Sequence, residues 1–164
     1  MRKIEISTEV IVFDNPLELE EIERKLLTKA KEGQEKAYAP YSNFLVGAAV
    51  LLQNGEIING GNQENAAFPA CICAERTVLS AASTMFPNIK PIMLAVAVKN
   101  LKKEQLKPAA PCGECRQYIF EIESKFNFAI PIIMQAESNK IYKVNSSSEL
   151  LPLAFAKNDL MEDE

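Results

Sequence analysis

Four cysteines fall in two tight clusters, Cys71 with Cys73 and Cys112 with Cys115, in a chain of 164 residues that has no histidine. Such clusters, without any sign of secretion, suggest metal ligation rather than disulfides, and zinc is the first metal to consider. Cys112 and Cys115 are about one helical turn apart, so both sulfurs can face one ion. Cys71 and Cys73 are separated by one residue, which in extended chain points neighbouring ligands awkwardly. Two chemistries follow. All four thiols could close a structural tetrahedron with no room for a reaction. Alternatively, Cys73, Cys112 and Cys115 could hold zinc with a fourth position open to water, and Glu75 beside the metal without binding it. Cys71 is then left over, as a small buried residue packed before a helix. The lack of histidine is no obstacle, because a carboxylate can move protons.

Three thiolates around a divalent ion leave a formal charge of −1. Arg76, about one turn beyond Cys73, is positioned to donate hydrogen bonds to the thiolates and withdraw charge. Arg116, beside Cys115, is a second candidate, and sequence alone does not rank the two. A surface salt bridge is the plainer reading of Arg76.

These residues need a scaffold. Cys73 and Cys112 each stand where a loop turns into a predicted helix, over 73–85 and 112–126, and a helix N-terminus favours a thiolate. FLVGAAVLL (44–52), the Asn54-Gly55 turn and EIINGG (56–61) predict a β-hairpin. IMLAVAV (92–98) reads as a strand covered on both faces. AIPIIMQ (129–135) reads as a strand that Pro131 pushes toward a sheet edge, and IYKV (141–144) as another. A helix is expected to start at Asn15-Pro16 and run toward Ala37, and SSSELL (146–151) to begin a last short helix. Residues 3–13 alternate as an N-terminal strand or arm. The fold class is α/β, a layered sheet flanked by helices. The division is an arm over 1–14 and one domain over 15–164.

Composition narrows the function. Hydrophobic residues make up 48% and charged residues 24%, which argues against disorder. Net charge is −4 and the lysines are scattered among glutamates, so no basic stripe tracks a phosphate backbone, and nucleic acid is not an expected partner. No apolar run of 18 residues could cross a membrane. The N-terminus lacks the core of a signal peptide. A cytoplasmic protein is expected.

With these residues in view, the chain resembles the small homo-oligomeric cytidine deaminases. CAER (73–76) and PCGECRQ (111–117) match that family's zinc elements. YAPYSNFLVGAAV (38–50), GNQENAAF (61–68) and LLPLAF (150–155) match its other segments in order. The resemblance spans roughly residues 15–160. It implies a three-layer α/β/α fold with a mixed sheet of about five strands. It also implies one zinc per subunit and deamination of cytidine and deoxycytidine to uridine and deoxyuridine in pyrimidine salvage. By the resemblance, Cys73, Cys112 and Cys115 would bind zinc and Glu75 would shuttle protons. Phe44 would stack on the pyrimidine, Asn62 and Glu64 would bond the ribose, and Ala74 would contact substrate. A homotetramer, or a dimer, is implied, with Phe68 and Phe155 at an interface or a neighbour's pocket. Leu45 departs from the family where proline is common, and Phe68 where tyrosine is common. The rivals are a deaminase of another aminated nucleoside such as blasticidin S, and a non-enzymatic protein with a closed four-cysteine site.

Overall fold

The computed structural model describes residues 1–160. In chain order come strand β1 (Ile11–Phe13), helix α1 (Glu21–Gln34), strands β2 (Phe44–Leu52) and β3 (Ile57–Gly61), and helix α2 (Ala74–Met85). Strand β4 (Pro91–Asn100), helix α3 (Gly113–Phe126) and strands β5 (Ile132–Gln135) and β6 (Ile141–Val144) complete the set. The strands form one sheet in the order β1-β6-β5-β4-β2-β3. Among the described strands only β4 and β5 pair in parallel, as the crossover through α3 requires. The sixth strand, beyond the five expected, is β1, whose residues 11–13 pair with 143–141 of β6.

Alternation along the strands feeds two cores. Ala49, Leu51, Ala95 and Ile133 face Leu26, Leu27 and Ala30 of α1. Ala48, Val50, Leu94 and Val96 face Val78 and Leu79 of α2 and Ile119 of α3. Three layers result, with α2 and α3 together on one side. Helix α1 lies very close to the hairpin. A Cβ on Gly47 would sit 2.0 Å from the Ala30 carbonyl oxygen and 2.5 Å from the Gln34 nitrogen, so only glycine admits the helix there.

Three expectations are corrected. Strand β5 is not at an edge but lies between β4 and β6. Pro131 stands just before it, where the missing N–H costs no ladder bond, and its carbonyl accepts from Leu94 N at 2.9 Å. The helix expected from Asn15-Pro16 is a single 3-10 turn, Pro16–Glu18, capped by Asn15. Extended backbone at Leu19 and Glu20 follows before α1 starts, and Leu19 is buried in the α1-side core. The last helix is likewise only a 3-10 turn, Ser147–Glu149, and the donors at its start are drawn to α3.

Those donors converge on Glu123, a buried carboxylate near the end of α3. It accepts from Ile130 N (2.7 Å), Ser147 N (3.1 Å), Ser146 Oγ (3.1 Å) and the Ser147 hydroxyl. Removing it strands buried donors. Glu123→Ala is expected to lower the unfolding free energy in urea by about 3 kcal/mol. Exposed Glu121→Ala is expected to change it by less than about 0.5 kcal/mol. A Glu123→Ala loss below about 1 kcal/mol would show that the carboxylate is no anchor.

Candidate metal and catalytic site

Cys73 is the N-cap of α2 and Cys112 the N-cap of α3, while Cys115 lies in the first turn of α3. The three sulfurs all lie within 4.8 Å of one another, and Cys73 Sγ is 3.7 Å from Cys112 Sγ. Zinc–sulfur bonds of about 2.3 Å in a tetrahedron require edges of about 3.8 Å. Soft donors at that spacing fit zinc. The Cys73 thiol is held low, at about 6, chiefly by its hydrogen bond with Cys115 and further by Cys112 and the charge of Arg76, against the opposing effect of burial. Cys115 is pushed up by the same hydrogen bond and by burial.

Cys71 is not in this group. Its sulfur accepts from Asn65 N at 3.2 Å, and it lines the adjacent cavity, half-buried, instead of packing into the core as expected. The loop amide draws the side chain away from the three thiols. A closed four-cysteine tetrahedron therefore lacks its fourth ligand.

The cavity has a volume of about 300 Å³ and brings together Phe44, Asn62, Glu64, Cys73, Glu75 and Cys112. Glu75, in the first turn of α2, is 4% exposed. Burial pushes its carboxyl up to about 7, with the neighbouring Cys73 charge adding to the rise and backbone hydrogen bonding opposing it. Such a group can both take and give a proton near neutrality.

At the other end, loop segments are laced by backbone bonds. Gln63 N donates to Ile72 O (2.9 Å), Ile72 N to Gln63 O (3.0 Å), and Tyr38 N to Asn62 O (2.9 Å). The Asn62 amide also pins the start of β2, accepting from Val46 N (2.9 Å) and donating to Phe44 O (3.1 Å). Each end of that amide keeps further hydrogen-bonding capacity. Glu64 accepts from Tyr41 N (2.8 Å) and Ser42 N (3.3 Å). Its slight burial works to raise the carboxyl, but hydrogen bonds from the Ser42 side chain and the two amides bring it below its ordinary value.

Other expected residues lie elsewhere. Ala74 is fully buried at the start of α2 and does not line the cavity. Phe68 is exposed and stacks edge-on against Tyr41, ring centres 5.8 Å apart. Phe155 is exposed, its carbonyl accepting from Gln117. Arg76 does not bond a thiolate. It donates to Cys71 O (3.1 Å) and pairs with Glu114 (3.1 Å), while its Nε is buried without a hydrogen-bond partner. With those two acceptors engaged and no thiolate bonded, Arg76 acts on Cys73 in this structure through its charge. Arg116 binds Pro111 O and Leu150 O, both at 2.7 Å, so it ties down backbone. The apolar wall, Val96, Val98, Ala109 and Ala110, went unrecognised in the sequence. Alternation marks Val96 and Val98 as one face of β4, but a strand covered on both sides does not say which face meets a cavity.

Residues 20–130 match the model of the cytidine and deoxycytidylate deaminase zinc-binding region. A cytidine deaminase of Sporosarcina psychrophila is 36% identical over 137 residues, covering 83% of this chain and 93% of its own length. One from Halalkalibacterium halodurans is 37% identical over 140 residues, covering 85% and 98%. The crystal structure of cytidine deaminase from Burkholderia pseudomallei superposes with a TM-score of 0.69 at 36% identity, over 80% of this chain and 97% of that one. Thiols at zinc spacing, a protonatable buried glutamate and this shared fold agree: the chain belongs to the cytidine and deoxycytidylate deaminase family.

Proposed function

We propose that this chain is a zinc-dependent hydrolase that deaminates cytidine and deoxycytidine to uridine and deoxyuridine, releasing ammonia. The observation that carries the reading is the buried Glu75 carboxyl beside three thiols at zinc spacing, with Glu75, Cys73 and Cys112 lining one cavity. Cys73, Cys112 and Cys115 would hold one zinc ion per subunit. Zinc, when bound, supplies Lewis acidity that brings the pKa of water toward neutrality. Glu75 takes a proton from the water that adds to carbon 4 of the pyrimidine and delivers it to ring nitrogen 3. The carboxylate then takes the proton of the new carbon 4 hydroxyl and passes it to the amino group, which leaves as ammonia as the carbon 4 carbonyl forms. Phe44 offers a ring to the base. Asn62 and Glu64 receive the ribose hydroxyls, and Arg76 offsets thiolate charge through its field.

The family includes nucleotide as well as nucleoside branches, and the lining residues favour the nucleoside. Among the described residues, the cavity wall carries no lysine or arginine, and Glu64 is held in its charged form. A substrate phosphate would meet like charge there. Exposed Phe68 and Phe155 are proposed to meet neighbouring subunits of a homotetramer, with a dimer as the alternative. Residues 15–164 are taken as one catalytic domain carrying the arm 1–14. Among the described residues no helix is long and apolar enough to cross a membrane. A cytoplasmic role in pyrimidine salvage is the setting proposed.

The test is the loss of cytidine absorbance with zinc-loaded protein, run beside deoxycytidine, deoxycytidylate and blasticidin S. Cytidine and deoxycytidine are expected to turn over, with deoxycytidylate lower in kcat/KM by roughly 100-fold. Turnover of blasticidin S alone would reassign the substrate, and none with any amine would overturn the reading. Sedimentation of the same sample measures the assembly.

A further inference from the structure

The two helices that carry the thiols run side by side in the same direction, with their N-termini together at Cys73 and Cys112. Parallel neighbours place like dipole ends next to each other, so they repel weakly where the three sulfurs must stay close. Two polar contacts oppose this. Arg76 pairs with Glu114 at 3.1 Å, and Ser80 Oγ lies 2.9 Å from the Tyr118 hydroxyl. Arg76 and Ser80 are one turn apart on α2, and Glu114 and Tyr118 one turn apart on α3, so the contacts are successive rungs of one ladder. The first rung has a largely exposed carboxylate and is screened by solvent and salt. The second joins two half-buried neutral groups, and the Tyr118 ring packs on the core beneath α2 and α3.

We infer that the Tyr118 hydroxyl, held by Ser80, is a positioning group for the metal site. It fixes the lateral spacing of α2 and α3, and thereby the spacing of Cys73 from Cys112 and Cys115. Neither Ser80 nor Tyr118 lines the cavity. Tyr118 follows Cys115 by three residues, so a slip between the helices moves that ligand directly. The inference rests on the three thiols being a zinc site.

The test reads zinc affinity without turnover, by competition with a chromophoric chelator. Tyr118→Phe keeps the ring and loses only the hydroxyl. Tyr118→Phe and Ser80→Ala are each expected to raise the zinc Kd about fivefold. The double variant is expected to lose no more than either single one, because both remove the same bond. Ser80→Thr, which keeps a hydroxyl, is expected to retain wild-type affinity. Unchanged affinity in both single variants would overturn the inference, even with a lowered thermal midpoint, because the rung would then serve stability alone. Losses that add fully in the double variant would overturn it as well. A wild-type protein that takes up no zinc would instead overturn the site reading on which the rung depends.

Discussion

Glu75→Ala is expected to lower kcat for cytidine by about 10⁴-fold or more while zinc content and fold are retained. The size follows from the number of tasks this carboxyl performs. One positioned acid or base contributes roughly 10²–10⁴-fold, and here a single group moves two protons, one from water to ring nitrogen 3 and one from the added hydroxyl to the leaving amine. Its burial is what allows both directions, since a carboxyl pushed up to about 7 exists in both forms near neutrality. The fold should tolerate the change, because an ionisable group 4% exposed is a desolvation burden to the unloaded protein rather than a prop. Glu75→Gln keeps the shape and the hydrogen-bonding size but cannot shuttle a proton, so it is expected to fall as far. Zinc content by elemental analysis beside steady-state kinetics checks both halves. A kcat within tenfold of wild type would place the proton work elsewhere.

What could be read in advance depended on how far apart the interacting residues lie in the chain. Cys112 and Cys115 were legible because one helical turn alone brings their sulfurs together. The hairpin was legible in Asn54-Gly55, and Gly55 does adopt the positive φ of 88° that such a turn demands. Arg76 and Arg116 both follow ligand cysteines closely, and local spacing says the same of each. Tertiary partners separate them, for Arg116 spends a nitrogen on Leu150 O, 34 residues away. The awkward spacing sets Cys71 apart from the other three thiols, but its place on the cavity wall depends on the Asn65 amide within a loop. Pro131 misled because the rule about missing ladder donors applies within a strand, and β5 begins one residue later. The helix read from Asn15-Pro16 broke where burial of Leu19 outweighed helical propensity.

The second large effect separates the open metal site from the closed one. Cys115→Ser is expected to weaken zinc binding by at least about 100-fold and to abolish turnover, since a serine hydroxyl does not ionise near neutrality and is a poor zinc ligand. Cys71→Ser is expected to keep one zinc per chain and most of the activity. Its sulfur serves the Asn65 amide at 3.2 Å, a bond that a serine oxygen can also accept. The contrast is informative because Cys71 lines the cavity beside the site, yet of the two only Cys115 belongs to the group within 4.8 Å. Chelator competition on both variants, with wild type alongside, measures the difference. Zinc lost from Cys71→Ser as completely as from Cys115→Ser would mean four thiolates close around the ion. A saturated ion has no position for water, so that result would remove the nucleophile on which the role of Glu75 depends.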